Sequence, residues 1–247
     1  PTLFIKREEG VQYSMNSWAG YFWMNTNKNA EDFKIIRCSH KNINQWEEFI
    51  SAKQGTLIGS LTFLKNWIIR SEISNALAKI YVRDIKNNRE EELNISDEKV
   101  INPGISLFQK NRDTDLIRIS YESPKTPSRI FEYNIKTKEK KIVKEQIIPS
   151  GHNRDNYIVE RLECEGHDGY LIPITILRHK KSKLDGNSHV LLYGYGSYGM
   201  SMSPSFSSSR ISLVDRDIIW VTCHIRGGLE KGMAHWKLGK MLNKKNT

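Results

Sequence analysis

The sequence predicts a mixed fold: a strand-rich repeat array over residues 1–150, followed over 151–247 by the opening of a parallel α/β sheet. Three observations carry this prediction. Tyr21, Trp67 and Leu116 each open a pair of short strands with apolar and polar residues alternating, at a spacing of roughly 45–50 positions. A polar, turn-rich stretch at 149–156 separates that array from the C-terminal segment. In that segment two nearly continuous apolar runs, His189–Tyr193 and Ile218–Cys223, flank a stretch with helical spacing, the order strand, helix, parallel strand.

In the first repeat, Tyr21-Phe22-Trp23-Met24 leads through Asn27-Lys28-Asn29 to Phe33-Lys34-Ile35-Ile36-Arg37. In the second, Trp67-Ile68-Ile69-Arg70 leads through Ser74-Asn75 to Lys79-Ile80-Tyr81-Val82. In the third, Leu116-Ile117-Arg118-Ile119 leads through Ser123-Pro124 to Arg129-Ile130-Phe131-Glu132-Tyr133. The last two close with a polar turn and one more strand, at 90–93 and 141–143. A strand repeat of this length falls in the range of β-propeller blades, but three blades do not close a ring of the usual four to eight. An incomplete propeller and a smaller open array of sheets both satisfy the pattern. Trp18, Trp23, Trp46 and Trp67 are expected to pack between sheets rather than to meet a ligand. Residues 42–50, around Trp46-Glu47-Glu48-Phe49, fit a short helix or a strand edge equally well.

After the connection at 149–156, two strands at 157–164 and 170–177 surround Glu165-Gly166-His167-Asp168-Gly169, and the Asp-Gly pair predicts a hairpin. His167 and Asp168 are adjacent on that tip and point to opposite sides, so they are read as a turn and not as a catalytic pair. A further turn at 183–187 precedes the run His189–Tyr193, expected to be a strand buried on both faces. Residues 206–215, with Ile211, Leu213 and Val214 spaced for one helical face, predict a helix, and Ile218–Cys223 a second buried strand. His224 and His235 have no acidic partner beside them in sequence and are read as structural.

Composition narrows the function classes. The 247 residues carry a net charge of +10, with 38% hydrophobic and 27% charged side chains, ordinary values for a soluble protein with a core. The lysines are dispersed among turns with no arginine–aromatic stripe, so solvated surface is a better reading than nucleic acid or membrane binding. No apolar run approaches the roughly 20 residues of a membrane span. Cys38, Cys164 and Cys223 show neither C-x-x-C nor any metal-ligand spacing, which points to a reducing, cytoplasmic compartment and to no metal site. The chain opens on Pro1-Thr2-Leu3 without Met and is expected to be an internal piece of a longer protein.

The chemistry concentrates in Tyr193-Gly194-Tyr195-Gly196-Ser197-Tyr198-Gly199, directly after an apolar strand. Gly194, Gly196 and Gly199 spell G-x-G-x-x-G, the dinucleotide fingerprint, and Arg226 at the end of the next strand would suit a 2′-phosphate. That fingerprint needs its third glycine at a helix start, whereas Met200-Ser201-Met202-Ser203-Pro204 favours turns. A structural turn is the second reading. The third is a loop that offers donors to a developing oxyanion, as glycine-rich loops after an early strand do in α/β hydrolases.

The runs HVLLYGYGSYG, FSSSRISLVDR, HIRGGLEKG and LGKMLNKKNT, in this order and spacing, resemble the oligopeptidase B branch of the prolyl oligopeptidase family of serine peptidases. QWEEFI and SRIFEYNIKTKEKKIV extend the resemblance back through most of the chain. It implies a partial β-propeller of later blades over 1–150, which in the family covers the active site and limits access to short peptides. It also implies the N-terminal part of an α/β-hydrolase domain over 151–247. The second tyrosine of the loop, Tyr195, takes the family's role of oxyanion donor; Tyr198 and Arg226 are the expected substrate-binding residues. For Arg226, bracing the loop through a carboxylate is the alternative, and the favoured one. Where the family usually has three glycines after the arginine, this chain has Gly227-Gly228-Leu229.

No G-x-S-x-G elbow occurs in the chain, and Ser197 has Tyr195 in place of the required glycine. The resemblance therefore puts the Ser, Asp and His of the triad beyond Thr247, together with most of the acidic pocket that selects Arg and Lys. The expectation is a fragment of a serine oligopeptidase that cleaves short peptides after basic residues, inactive by itself and without a cofactor. A second chain carrying the rest of the catalytic domain would complete it. Two alternatives come from other classes: a dinucleotide-binding α/β module, and a non-catalytic propeller scaffold.

Overall fold

The computed structural model describes residues 4–106 and 112–247. Its first part is three successive four-stranded antiparallel meanders. The first is β1 (Tyr13–Trp18), β2 (Tyr21–Thr26), β3 (Lys34–Ser39) and β4 (Glu47–Ile50). The second is β5 (Thr56–Phe63), β6 (Trp67–Ser74), β7 (Leu77–Asp84) and β8 (Glu90–Glu92). The third is β9 (Asn102–Ser106), β10 (Leu116–Ser123), β11 (Thr126–Asn134) and β12 (Lys140–Glu145).

The central pair of each sheet is the alternating pair expected from sequence: β2–β3, β6–β7 and β10–β11. Each sheet also has an unforeseen first strand, and residues 47–50 resolve as the strand β4. Each sheet packs face to face on the next. Trp23 and Ile35 of the first meet Ile58, Phe63 and Ile68 of the second, with Trp18 and Phe49 against them. Leu64, Ile69, Ile80 and Val82 of the second meet Ile117, Ile119, Tyr121, Phe131 and Tyr133 of the third, with Trp67 alongside. Fully burying one such side chain contributes about 1.5–3 kcal/mol, so these two interfaces are the main stabilising element of this half. Trp46 differs: it lies half-buried on the first sheet, ring to ring with Phe4 at 6.4 Å.

The fourth sheet contains β13 (Tyr157–Glu165), β14 (Leu171–His179), β15 (His189–Tyr193) and β16 (Ile218–Cys223), in the order β13-β14-β16-β15. The β13–β14 hairpin and the parallel β15–β16 pair are those the sequence predicts. Helix α1 (Ser208–Val214) connects β15 to β16, capped by Ser207, whose side chain accepts from the Arg210 amide. Ile211 and Val214 bury themselves on Tyr157 and Leu177, against Trp220.

One expectation is corrected. The run His189–Tyr193 forms a strand but is not buried on both faces. Among the described residues it is the edge of its sheet, paired only with β16, and α1 packs over its neighbours; Val190 and Leu192 are 56% and 69% exposed. A second difference lies in the connection at 149–156, whose far end is tied down. His152 Nε2 meets the Lys125 carbonyl at 2.7 Å and its ring stacks on Tyr157, while Arg154 pairs with Asp97 and Glu98.

All three sheets seat on the C-terminal part through the connection between their second and third strands. Asp32 accepts from the Met233 amide, the Ala76 amide donates to the Glu230 carbonyl, and the Lys125 carbonyl faces His152. Arg161 adds a bond to the Asn75 carbonyl, and Lys237 pairs with Glu31 at 2.6 Å.

Candidate active-site loop

The loop 194–202 leaves the carboxyl end of β15, where it lies against the loop 224–231 leaving β16. Its backbone demands glycine at the points of contact. Gly196 and Gly199 have φ of +61° and +69°, and a Cβ on Gly196 would lie 2.6 Å from the Arg226 carbonyl. Gly227, at φ +100°, faces it so closely that a Cβ there would overlap the Gly196 carbonyl. Gly199 then donates to the Gly227 carbonyl at 2.9 Å, and Lys244 holds the Gly196 carbonyl and the Ser197 hydroxyl from the other side.

This packing leaves the tyrosines outside. Tyr195 is 41% exposed at the end of the strand, and Tyr198 is 87% exposed with φ +57°, a left-handed conformation that is an outlier for a bulky residue. Such outliers cluster where the surrounding structure holds a residue for a purpose. The hydroxyl of Tyr195 thus stands at a strand's carboxyl end, where open α/β sheets place their ligands.

Arg226 lies elsewhere. It is 2% exposed, its guanidinium pairs with Asp168 on the β13–β14 hairpin tip, Nε donates to the Asn246 carbonyl at 2.6 Å, and it lies over the Tyr170 ring. Hydrogen bonding to Arg226 holds the Asp168 carboxyl below its ordinary range. Nε and Nη1 of the guanidinium are thus engaged by the chain itself, which is the bracing geometry. The structure brings Tyr195, Tyr198 and Arg226 into two abutting loops, with only the tyrosines facing outward.

Beneath the loops lies a buried polar cluster. Helix α2 (Gly232–Lys237) carries His235, which is fully buried, as is His224. His235 Nδ1 lies 3.1 Å from the Tyr170 hydroxyl and Nε2 lies 3.1 Å from the His224 carbonyl. A carbonyl only accepts, so Nε2 carries the proton and Nδ1 accepts from tyrosine. Burial pushes His235 down to about 4 and His224 down to about 3, so both are neutral near pH 7. Neither faces solvent or a nucleophile, consistent with structural roles.

Gly228 and Leu229 explain the departure from a three-glycine run. A Cβ on Gly228 would overlap the Glu230 carboxyl, whereas Leu229 is absent from the residues with positive φ and packs its side chain towards Gly199. The third position tolerates a side chain because its backbone is ordinary. Sequence reasoning missed Glu230, Lys244 and Asp168 as parts of this site. Only the Asp-Gly turn at 168–169 gave a local signal, and it indicated a turn rather than a partner for Arg226.

The dinucleotide geometry is not met: residues 200–207 are irregular and α1 opens only at Ser208, so no helix N-terminus stands at Gly199. Among the described residues no three His, Cys, Asp or Glu side chains converge as metal ligands. No helix among them is long and apolar enough to cross a membrane.

The chain matches the family described as prolyl oligopeptidase, N-terminal beta-propeller domain, over residues 1–146. Dipeptidyl aminopeptidase BI of Pseudoxanthomonas mexicana is 32% identical over 250 aligned residues, covering 100% of this chain and 34% of that protein. Protease 2 of Moraxella lacunata is 27% identical, over 99% of this chain and 35% of its own length. Among solved structures, oligopeptidase B from Trypanosoma brucei with covalently bound antipain, in its closed form, superposes with a TM-score of 0.89. It is 27% identical, over 98% of this chain and 36% of that one. The chain spans about a third of the length of the relatives it matches. With a propeller match over 1–146 and relatives aligned end to end, the chain belongs to the prolyl oligopeptidase family, and its first three sheets are blades of that family's N-terminal β-propeller.

Proposed function

We propose that the chain is part of a cytoplasmic serine peptidase of the oligopeptidase B type, one that cleaves short peptides after Arg or Lys. In this reading residues 1–150 are propeller blades and 151–247 begin the α/β-hydrolase domain. The observation that carries it is the Tyr195 loop: an exposed hydroxyl at the carboxyl end of β15, braced by Gly227, Lys244 and the Arg226–Asp168 pair. The end-to-end alignment with oligopeptidase B supports the same reading.

The chemistry follows from the geometry. When a nucleophile attacks a peptide carbonyl, charge develops on its oxygen, and a fixed O–H donor stabilises that charge more than it stabilises the ground state. Tyr195 would supply that donor, Tyr198 would pack against the substrate, and Arg226 would act on substrate indirectly by holding the loop. The nucleophile, acid and base would come from outside these residues, since the chain has no G-x-S-x-G elbow. Three free cysteines, one of them buried, suit a reducing compartment.

The test is complementation. Alone, the chain is expected to take up no fluorophosphonate label and to leave Arg- and Lys-containing peptide amides intact. Joined to a segment carrying the missing triad, it should regain cleavage. In that assembly Tyr195→Phe should lower kcat by roughly a hundred- to thousandfold, about 3–4 kcal/mol in the barrier. Tyr198→Phe should cost far less. Stoichiometric labelling of a serine in the isolated chain, or equal losses from both tyrosines, would sink the assignment.

A further inference from the structure

Glu230 is 1% exposed, yet its carboxyl is scarcely compensated. Oε1 accepts from the Met202 amide at 2.8 Å, while Oε2 is buried with no hydrogen-bond partner, 3.9 Å from His235 Nε2. Burial accordingly pushes this carboxyl above its ordinary range. A buried carboxyl with one bond is costly relative to an apolar side chain of similar size. Its contacts suggest what that cost maintains. The carboxyl holds the amide at the far end of the Tyr195 loop. The backbone carbonyl of the same residue accepts from Ala76 at 2.8 Å, in the turn between β6 and β7 of the second blade. Ala76 is 5% exposed with φ +62°, and Gly228 leaves open the space that the carboxyl fills.

We propose that Glu230 is a positioning residue that couples the seating of the second propeller blade to the placement of the Tyr195 loop. One residue grips the blade through its backbone and the loop through its side chain. Displacing the blade turn therefore shifts the anchor of Met202, and reciprocally. The proposed consequence for catalysis rests on Tyr195 as the oxyanion donor, but the coupling itself is read without any activity.

Hydrogen exchange by mass spectrometry on the 247-residue chain tests it. Glu230→Ala should speed exchange of 195–202 and of 74–77 by about tenfold or more, the loss of a hydrogen bond to a carboxylate. Residues 117–121 and 131–135 of the third blade should stay at the parent rate. Glu230→Gln retains an acceptor at the same place and should keep both segments protected, which a general loss of stability would not reproduce. Unchanged exchange of 195–202 in the Ala variant would overturn the proposal. So would acceleration there with 74–77 unaffected, or loss of protection in the Gln variant. If the Ala variant does not fold, Glu230→Asp, whose shorter side chain withdraws the acceptor from the Met202 amide, takes its place and is read by the same criterion.

Discussion

Asp32 offers the sharpest test of how the propeller is joined to the rest of the chain. It is 4% exposed at the end of the connection between β2 and β3, and its two oxygens are both used. Oδ2 accepts from the Gly55 amide at 2.7 Å, at the start of the second blade, and Oδ1 from the Met233 amide at 2.6 Å, in the first turn of α2. Gly232, at φ +81°, lies so close that a Cβ there would overlap the carboxylate. Asp32→Ala leaves two amides without their acceptor. Orphaning the buried Met233 amide alone should cost about 1–3 kcal/mol, and the half-buried Gly55 amide adds less because water can reach it. Even the lower figure changes the folded-to-unfolded ratio by about fivefold. Asp32→Asn should not rescue, because its amide nitrogen donates and one of the two N–H groups would still face a donor. Urea unfolding followed by tryptophan fluorescence reads the midpoint directly. Trp23 reports on the first blade interface and Trp236 on α2. An Asp32→Ala unfolding free energy within about 0.5 kcal/mol of the parent would refute the reasoning, since that is the range of an ordinary surface change.

Limited proteolysis should cut first at 147–151, where Ile147 is 84% exposed, and spare 152–156, which His152 and Arg154 fasten to the third blade. Mass spectrometry of the first fragments checks this, and an initial cut within β10 or β11 would contradict the blade packing. The imidazoles of His224 and His235 should remain neutral from pH 7 to pH 5 by NMR, against an unperturbed value of 6.5. Because unfolding lets both titrate normally, their contribution to stability is complete above 6.5 and is lost as pH falls towards about 4 and about 3. A midpoint near 6.5 for either ring in the folded chain would contradict their burial.

Much of the fold was legible because its signals are local. The alternation through Ile68, Ile80, Ile117 and Phe131 marks the central strands, and the apolar runs at His189–Tyr193 and Ile218–Cys223 mark the parallel pair. The first strand of the third blade was hidden for an equally local reason, since β9 contains Pro103 and Gly104, both poor strand formers. β1, with Tyr13, Met15 and Trp18, and β5, with Leu57, Ile58, Leu61 and Phe63, carried a signal that the central pairs overshadowed. The burial of β15 was misjudged because an apolar run specifies a strand that suits burial, not what covers it. At the site, the position of Tyr195 at a strand end followed from the apolar run His189–Tyr193 directly before it. The partnerships did not: Asp32 and Met233 lie 201 residues apart, Arg226 and Asp168 58 apart, and no period in the chain links them.

The shared use of the second-to-third strand connections has a geometric consequence. Adjacent blades meet through side-chain interfaces and through backbone bonds such as the Ile58 amide to the Asp32 carbonyl and the Lys65 amide to the Arg112 carbonyl. Asp32, Ala76 and Lys125 fix one point on each of three consecutive blades against a single body. Three fixed points on successive sheets define an arc, so the C-terminal part acts as a gauge for the curvature of the array. A residue inserted into one of these connections would leave that sheet intact and throw its blade out of pitch with the other two.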